Sequence, residues 1–268
     1  MKDLTQGDEL KLILRFTVPM LIGNIFQQLY NVVDSIVIGK FLGNEALAAV
    51  GASFPLIFTL ISLIIGIATG STVIISQYYG ARQFDMVRKA SDTLYIVLFV
   101  ASIVLSALGF IFSETVFRLI ALPADVIPDA VKYFNIYSIG FVFFFGFQGT
   151  TSILRGMGDS KTPLYFLVTA TIVNIILDLL FVIVFKWGVE GVAIATIISQ
   201  AGAFITLVMY LNRKNELLIF RPLKMGFDKE IFYKSVRIGL PTGLQQTFVA
   251  IGMLALYKIV NVFGTATI

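Results

Sequence analysis

A chain of 268 residues that is 57% hydrophobic and only 13% charged does not have the composition of a soluble domain, where about a quarter of the residues are charged. Its mean hydropathy of +0.91 is that of a polytopic membrane protein. The absence of Cys and His excludes disulfides, thiolate chemistry and imidazole-based metal or proton chemistry. The net charge of +4 lies in short segments between apolar stretches, where it reads as a topology signal and not as a nucleic-acid surface.

The N-terminal MKDLTQGDELK is polar and has no cleavage pattern, so no signal peptide is expected there. Crossing hydrocarbon takes about 20 apolar residues. Seven windows qualify, at 16–38, 46–81, 93–113, 133–154, 162–185, 191–212 and 238–257. They predict an all-α protein with a six-helix lobe over 1–212, a linker over 213–237 and a seventh membrane helix within 238–268. The first window carries one charged residue, Asp34, in the stretch NVVDSIVIGKFLG. Tyr30 lies four residues before it on the same helical face, and Asn24, Gln27, Gln28 and Asn31 extend the polar character. The second window is too long for one straight helix. Pro55 or the Gly66-Ile-Ala-Thr-Gly70 stretch is expected to bend it, or its first part to lie in the membrane interface. The fourth contains FVFFFGFQ, whose phenylalanines read mainly as packing and whose Gln148 is a candidate for a substrate cleft.

RGMGDSKTP, residues 155–163, precedes the fifth window, with Thr162-Pro163 predicted as helix cap and first helical residue. It does not satisfy the phosphate-loop pattern, and no other ATP-binding element is present. The fifth window repeats the device of the first, because Asn174 and Asp178 are again one turn apart. Thr196 follows in the sixth. In the linker, FDKEIFYKSVR predicts an amphipathic helix with Phe227, Ile231 and Phe232 on one side.

Lys and Arg set the expected orientation. With the N-terminus in the cytoplasm, 15 of the 20 fall in inner segments. Four, Lys40, Arg118, Lys132 and Lys186, are outer, and Lys258 lies near the outer end of the seventh span. At 1.5 Å of rise per residue, Asp34, Asp178 and Thr196 then lie about 7–12 Å below the outer ends of their helices, within reach of one pocket. A lone Asn or Thr in a membrane helix is commonly interhelical glue. A carboxylate there is a functional-site hypothesis by default. Two acids, an amide and a hydroxyl offer only oxygen-bearing groups, suited to Na⁺ or a shared proton.

An internal repeat is visible. FTVPMLIGN at 16–24 recurs loosely as RIGLPTGLQQ at 237–246, and KFLGNEAL at 40–47 resembles NVFGTATI at 261–268. The seventh span therefore reads as the first helix of a second lobe whose remainder this chain lacks.

QQLYNVVDSIVIGKFLG, RGMGDSKTP, NIILDLLF and GVAIATIIS resemble, in order and spacing, signatures of the multidrug and toxic compound extrusion (MATE) transporters. The resemblance covers the whole chain. It implies two six-helix lobes around a cleft in a bacterial or archaeal plasma membrane, a monomer without cofactor, and exchange of Na⁺ or H⁺ for small organic, often cationic, compounds. It implies that Asp34, Asn174, Asp178 and Thr196 hold the cation, with Tyr30 nearby, and leaves Gln27, Asn31 and Gln148 as cleft candidates. The seventh-helix glutamate of the NorM-like branch is missing. Val249 falls at its expected position, which shifts weight to the N-terminal lobe and a DinF-like mechanism. Three rival readings are a lipid-linked oligosaccharide flippase, an integral membrane enzyme and an inactive fragment. The first is disfavoured by the lack of a central Lys or Arg in the first six spans, the second by the absence of His and Cys.

Overall fold

The computed structural model describes residues 8–214 and 218–261. The N-terminal heptapeptide, part of the linker and most of the NVFGTATI repeat lie outside the described residues. The described chain is a bundle of α1 (Glu9–Phe41), α2 (Asn44–Gly80), α3 (Phe84–Leu119), α4 (Ile127–Ile139), α5 (Phe141–Gly156), α6 (Lys161–Leu179), α7 (Gly188–Lys214) and α8 (Lys229–Asn261). Six of these are long and apolar enough to cross a bilayer, and α4 with α5 supplies a seventh, broken span. The dominance of helix follows from the solvent, because hydrocarbon offers backbone groups no partner outside the helix itself.

Three features differ from the sequence expectations. The second window is one uninterrupted helix of 37 residues, despite Pro55 and the glycines. The fourth is the one that breaks, bending by 50° between α4 and α5 at Gly140. There a side chain would meet Ile197 of α7 at 2.7 Å. The fifth ends in a turn of π-helix, Leu180–Val184, directly after Asp178. In addition, FDKEIFYKSVR runs from Lys229 straight into the seventh span, so the two share one helix.

Local capping explains several boundaries. The Asp159 carboxylate accepts from the N–H groups of Lys161 and Thr162 at 3.1 and 3.0 Å and from the Thr162 hydroxyl at 2.7 Å. Asp159, not Thr162, therefore caps α6, and Thr162 lies within its first turn. Gly43 takes φ +91° in the turn from α1 to α2, a conformation that glycine adopts without strain.

α2 lies at the centre of the main core. It packs through Ala46, Ala48, Ala49 and Ala52 at one end and through Ile74 and Ile75 at the other. Its Gly66 and Gly70 meet a matching pair on the antiparallel α8, Gly239 and Gly243. A side chain on Gly66 would run into the Gly243 backbone, and one on Gly70 into the Ser235 carbonyl. The GxxxG spacing seen in the sequence is thus half of a two-sided glycine contact that brings the backbones together. One turn further along, the Ser62 and Thr247 hydroxyls share a hydrogen bond of 2.9 Å. At the far end of α8, the buried Asn261 amide donates to the Ile120 carbonyl at 2.8 Å.

Gly70→Leu is expected to lower the stability of the detergent-solubilised protein by about 1–3 kcal/mol, because overpacking must separate α2 from α8. Gly252→Ala, at a position with nothing within 4 Å, should not lower the melting temperature. Thermal unfolding of both variants beside the parent checks this.

Candidate cation and substrate site

Polar side chains converge where α1, α6 and α7 meet. Tyr30 of α1 and Thr196 of α7 share a hydrogen bond of 2.9 Å between their hydroxyls. One turn along α1, Asp34 lies close enough to Asp178 of α6 for the two carboxyls to interact electrostatically. Both are buried, at 8% and 0% exposure. Asn174, one turn before Asp178, is buried beside them at 1%. The structure thus brings together Tyr30, Asp34, Asn174, Asp178 and Thr196, which the sequence places at similar depth on three helices.

The hydrogen-bond accounting of this cluster is incomplete. Asp34 Oδ1, both Asp178 oxygens, and both Asn174 amide atoms are buried without a protein partner. A buried polar atom left unpaired costs about 1–3 kcal/mol. Two carboxylates at this separation also repel unless a cation neutralises the pair. The donor set consists of two carboxyls, one amide and two hydroxyls. Oxygen-rich sets of this kind suit a hard cation, and the carboxyl pair equally suits a shared proton. Among the described residues, no group of three or more His, Cys, Asp or Glu is gathered anywhere.

Adjacent to the carboxyls is a pocket lined by Gln27 and Tyr30 of α1, Thr171 and Asn174 of α6, and Thr196, Ser199 and Gln200 of α7, with Leu167 and Ala170 as apolar wall. Gln200 Oε1 is another buried oxygen without a partner. Of the cleft candidates, Gln27 lines this pocket from an exposed position. Asn31 does not. It is rotated by about 100° from Tyr30 and donates its amide to Gln28 Oε1 at 3.3 Å. Gln148 is on α5 and does not line the pocket.

Sequence reasoning missed Thr171, Ser199 and Gln200, and also two tyrosines of α4. Tyr133 and Tyr137, one turn apart with ring centroids 5.9 Å from each other, come close enough to Asp34 to interact with it electrostatically. Their i, i+4 spacing at the start of the fourth window was the available signal.

Comparison with known proteins places this geometry. The MatE family profile matches residues 19–180, more than half of the chain. The chain is 36% identical over 262 residues to the probable multidrug resistance protein YpnP of Bacillus subtilis (strain 168), covering 98% of this chain and 58% of that protein. It is likewise 36% identical over 259 residues to the probable multidrug resistance protein YoeA of the same organism, covering 93% and 56%. Among solved structures, the outward-facing conformation of a multidrug resistance MATE family transporter of the MOP superfamily superposes with a TM-score of 0.84 at 27% identity. That match covers 92% of this chain and 55% of the other. The chain therefore spans a little over half the length of the relatives it matches.

Tyr30→Phe and Thr196→Val should each lower stability by about 1 kcal/mol, since each leaves the other hydroxyl without its partner. The double variant should lose less than the sum of the two. Thermal unfolding of the parent, the two single variants and the double variant in detergent closes this cycle.

Proposed function

The chain belongs to the MatE family of membrane transporters, and we propose on that basis that it serves in the export of small organic, often cationic, compounds in exchange for Na⁺ or H⁺. The observation that carries this reading is the Asp34–Asp178 pair, buried on two different helices and surrounded by polar atoms that lack protein partners. Packing alone does not account for that arrangement. A cation that enters and leaves does. The names of YpnP and YoeA, as probable multidrug resistance proteins, support drugs or toxic compounds as the cargo.

The coupling ion is transported, so it is cargo here. Asp34 and Asp178 supply its charge compensation, while Asn174, Thr196 and Tyr30 supply neutral oxygens. α8 offers no alternative acid within the membrane, since Glu230 in its first turn is its one carboxylate. The position expected for a glutamate holds Val249, which is exposed. Within the described part of this chain, the α1/α6 pair is therefore the candidate for coupling.

The distribution of Lys and Arg supports an N-terminus in the cytoplasm of a bacterium or archaeon and places the carboxyl pair towards the outside. A cation arriving from outside then neutralises the pair and draws α1 towards α6 and α7. That closure reshapes the pocket beside Asn174 and lowers its affinity for the organic cargo, which leaves outward. The membrane potential contributes about 2.3 kcal/mol per charge for each 100 mV.

Asp34→Asn and Asp178→Asn in the full-length protein should each reduce ion-dependent ethidium efflux to background at unchanged expression. Efflux at the parental rate in either variant would overturn the assignment. Collapsing the Na⁺ and the proton gradients separately in the parent identifies the coupling ion, because efflux stops with only one of them.

A further inference from the structure

The segment between α7 and α8 is bound to the lobe at three points. Its first anchor is Phe220. The Phe220 ring lies edge-on between Tyr95 of α3, with centroids 5.0 Å apart, and Phe204 of α7, at 5.8 Å. The slot is built for aromatic rings. A side chain on Gly146 of α5 would meet the Phe204 ring at 2.8 Å, and one on Gly149 would meet Leu98 at 2.6 Å, with Tyr95 just beyond. Tyr95 is itself fixed by donating to the Thr150 hydroxyl at 2.8 Å, which donates on to the Gly146 carbonyl at 2.8 Å. The Phe220 N–H is held by Asn212 Oδ1 at 2.8 Å.

The second and third anchors are on α3. At the second, the Gly226 backbone lies close to the Asp92 carboxylate. The Asp228 N–H donates to the Thr93 hydroxyl at 3.0 Å, and that hydroxyl donates to the Lys89 carbonyl at 2.8 Å. Asp228 then caps α8, its carboxylate accepting from Glu230 and Ile231 N–H, both at 3.0 Å. Leu218 packs against both apolar clusters of the lobe.

The position of the slot gives these contacts a consequence. Phe204 lies on α7 one turn beyond Gln200, which lines the pocket, so the plug lies about 6 Å of helix rise past that residue. This is the end of the bundle away from Lys40, the end that the proposed orientation turns to the cytoplasm.

We propose that residues 218–228 form a strap that closes the cytoplasmic end of the lobe, with Phe220 as its plug, and that the strap lifts for cargo to enter the pocket from that side. The proposal rests on the transport reading for the identity of the cargo, but not for the motion itself. One half-buried ring and two polar contacts on α3 suit a closure that opens. Polar ties of this kind are weak enough for a differential ligand affinity to shift.

The test uses Arg88→Cys with Met225→Cys in the full-length protein. Neither residue belongs to the plug, its slot or the cation site, and this chain has no Cys of its own. Tethering the pair with a bifunctional methanethiosulfonate should lower ethidium efflux at least tenfold, and reduction should restore it. Efflux that continues at the untethered rate with the cross-link in place overturns the proposal. Nitroxide labels on the same two positions provide a measurement independent of transport. Two distance populations, whose ratio changes when Na⁺ or ethidium is added or pH is lowered, are expected. One invariant distance under all three conditions overturns the strap. Failure of the transport reading shows separately, as absence of efflux by the unmodified protein, and the distance measurement then decides on the strap alone.

Discussion

In hydrocarbon, a backbone N–H or C=O finds a partner only within its own helix, and everything else in this bundle follows from that constraint. Among the described residues there is no strand, so chemistry must be assembled from side chains that different helices bring together. Helix association in turn receives little help from the hydrophobic effect, because lipid tails are as apolar as leucine. Close backbone approach takes its place. Gly66 and Gly70 against Gly239 and Gly243 provide it for α2 and α8. Gly146 and Gly149 provide it for aromatic rings at the interface of α3, α5 and α7. The same residue type serves as a contact between backbones in one place and as a socket in the other.

The departures from regular helix occur where polar residues must be aimed. The 50° bend at Gly140 separates α4, which carries Tyr133 and Tyr137 towards Asp34, from α5, which carries the aromatic socket. The π-turn over Leu180–Val184 follows directly after Asp178. Such turns recur at functional positions because they widen the helix and rotate the residues beside them. After it, Trp187 packs on Phe181 with centroids 4.8 Å apart, while Lys186 and Gly188 take positive φ. The carboxyl of Asp178 is thus positioned from one side by regular helix through Asn174 and from the other by a packed aromatic turn.

The spans and the five central site residues were legible in the sequence for one reason. An acid in an apolar run stands out without any knowledge of packing, and counting residues from the helix ends gives its depth. Asp34, Asp178 and Thr196 fall at one level by that arithmetic alone. Thr171, Ser199 and Gln200 were not legible, because hydroxyls and amides are frequent in these helices and only the pairing of α6 with α7 selects these three. Asn31 misled for a related reason. It is polar and adjacent to Tyr30 in the chain, yet one residue of helix turns it away from the pocket and towards Gln28. Gly66 and Gly70 were visible, but a glycine pair can mark a bend or a contact, and the choice depends on a partner helix almost 170 residues later. The strap was hidden most completely. RPLKMGFD carries no periodicity, and its anchors are backbone N–H groups that every sequence possesses.

What separates the site from the glue around it is how each polar group is satisfied. Most hydroxyls in these helices bond to a carbonyl of their own preceding turn, as Ser53 does to Ala49, Ser91 to Val87 and Ser138 to Phe134. Such groups need nothing from outside, which is why a serine or threonine in a membrane helix is weak evidence of a ligand. A carboxylate or an amide cannot close that short ring as readily, so it must find a partner across helices or remain unpaired. Asp34, Asn174, Asp178 and Gln200 keep unpaired atoms on α1, α6 and α7, with Asn174 and Gln200 on the pocket wall, while the other such atoms among the described residues, on Thr151, Arg155 and Asn261, lie on α5 and α8. On the proposed reading, the cost is carried only while α1, α6 and α7 stay together without a cation, and it is relieved when one binds. A bound cation would then favour the arrangement that gathers these helices over any arrangement that parts them. This difference in affinity between two arrangements is what ion coupling requires, and the unpaired atoms are its proposed source.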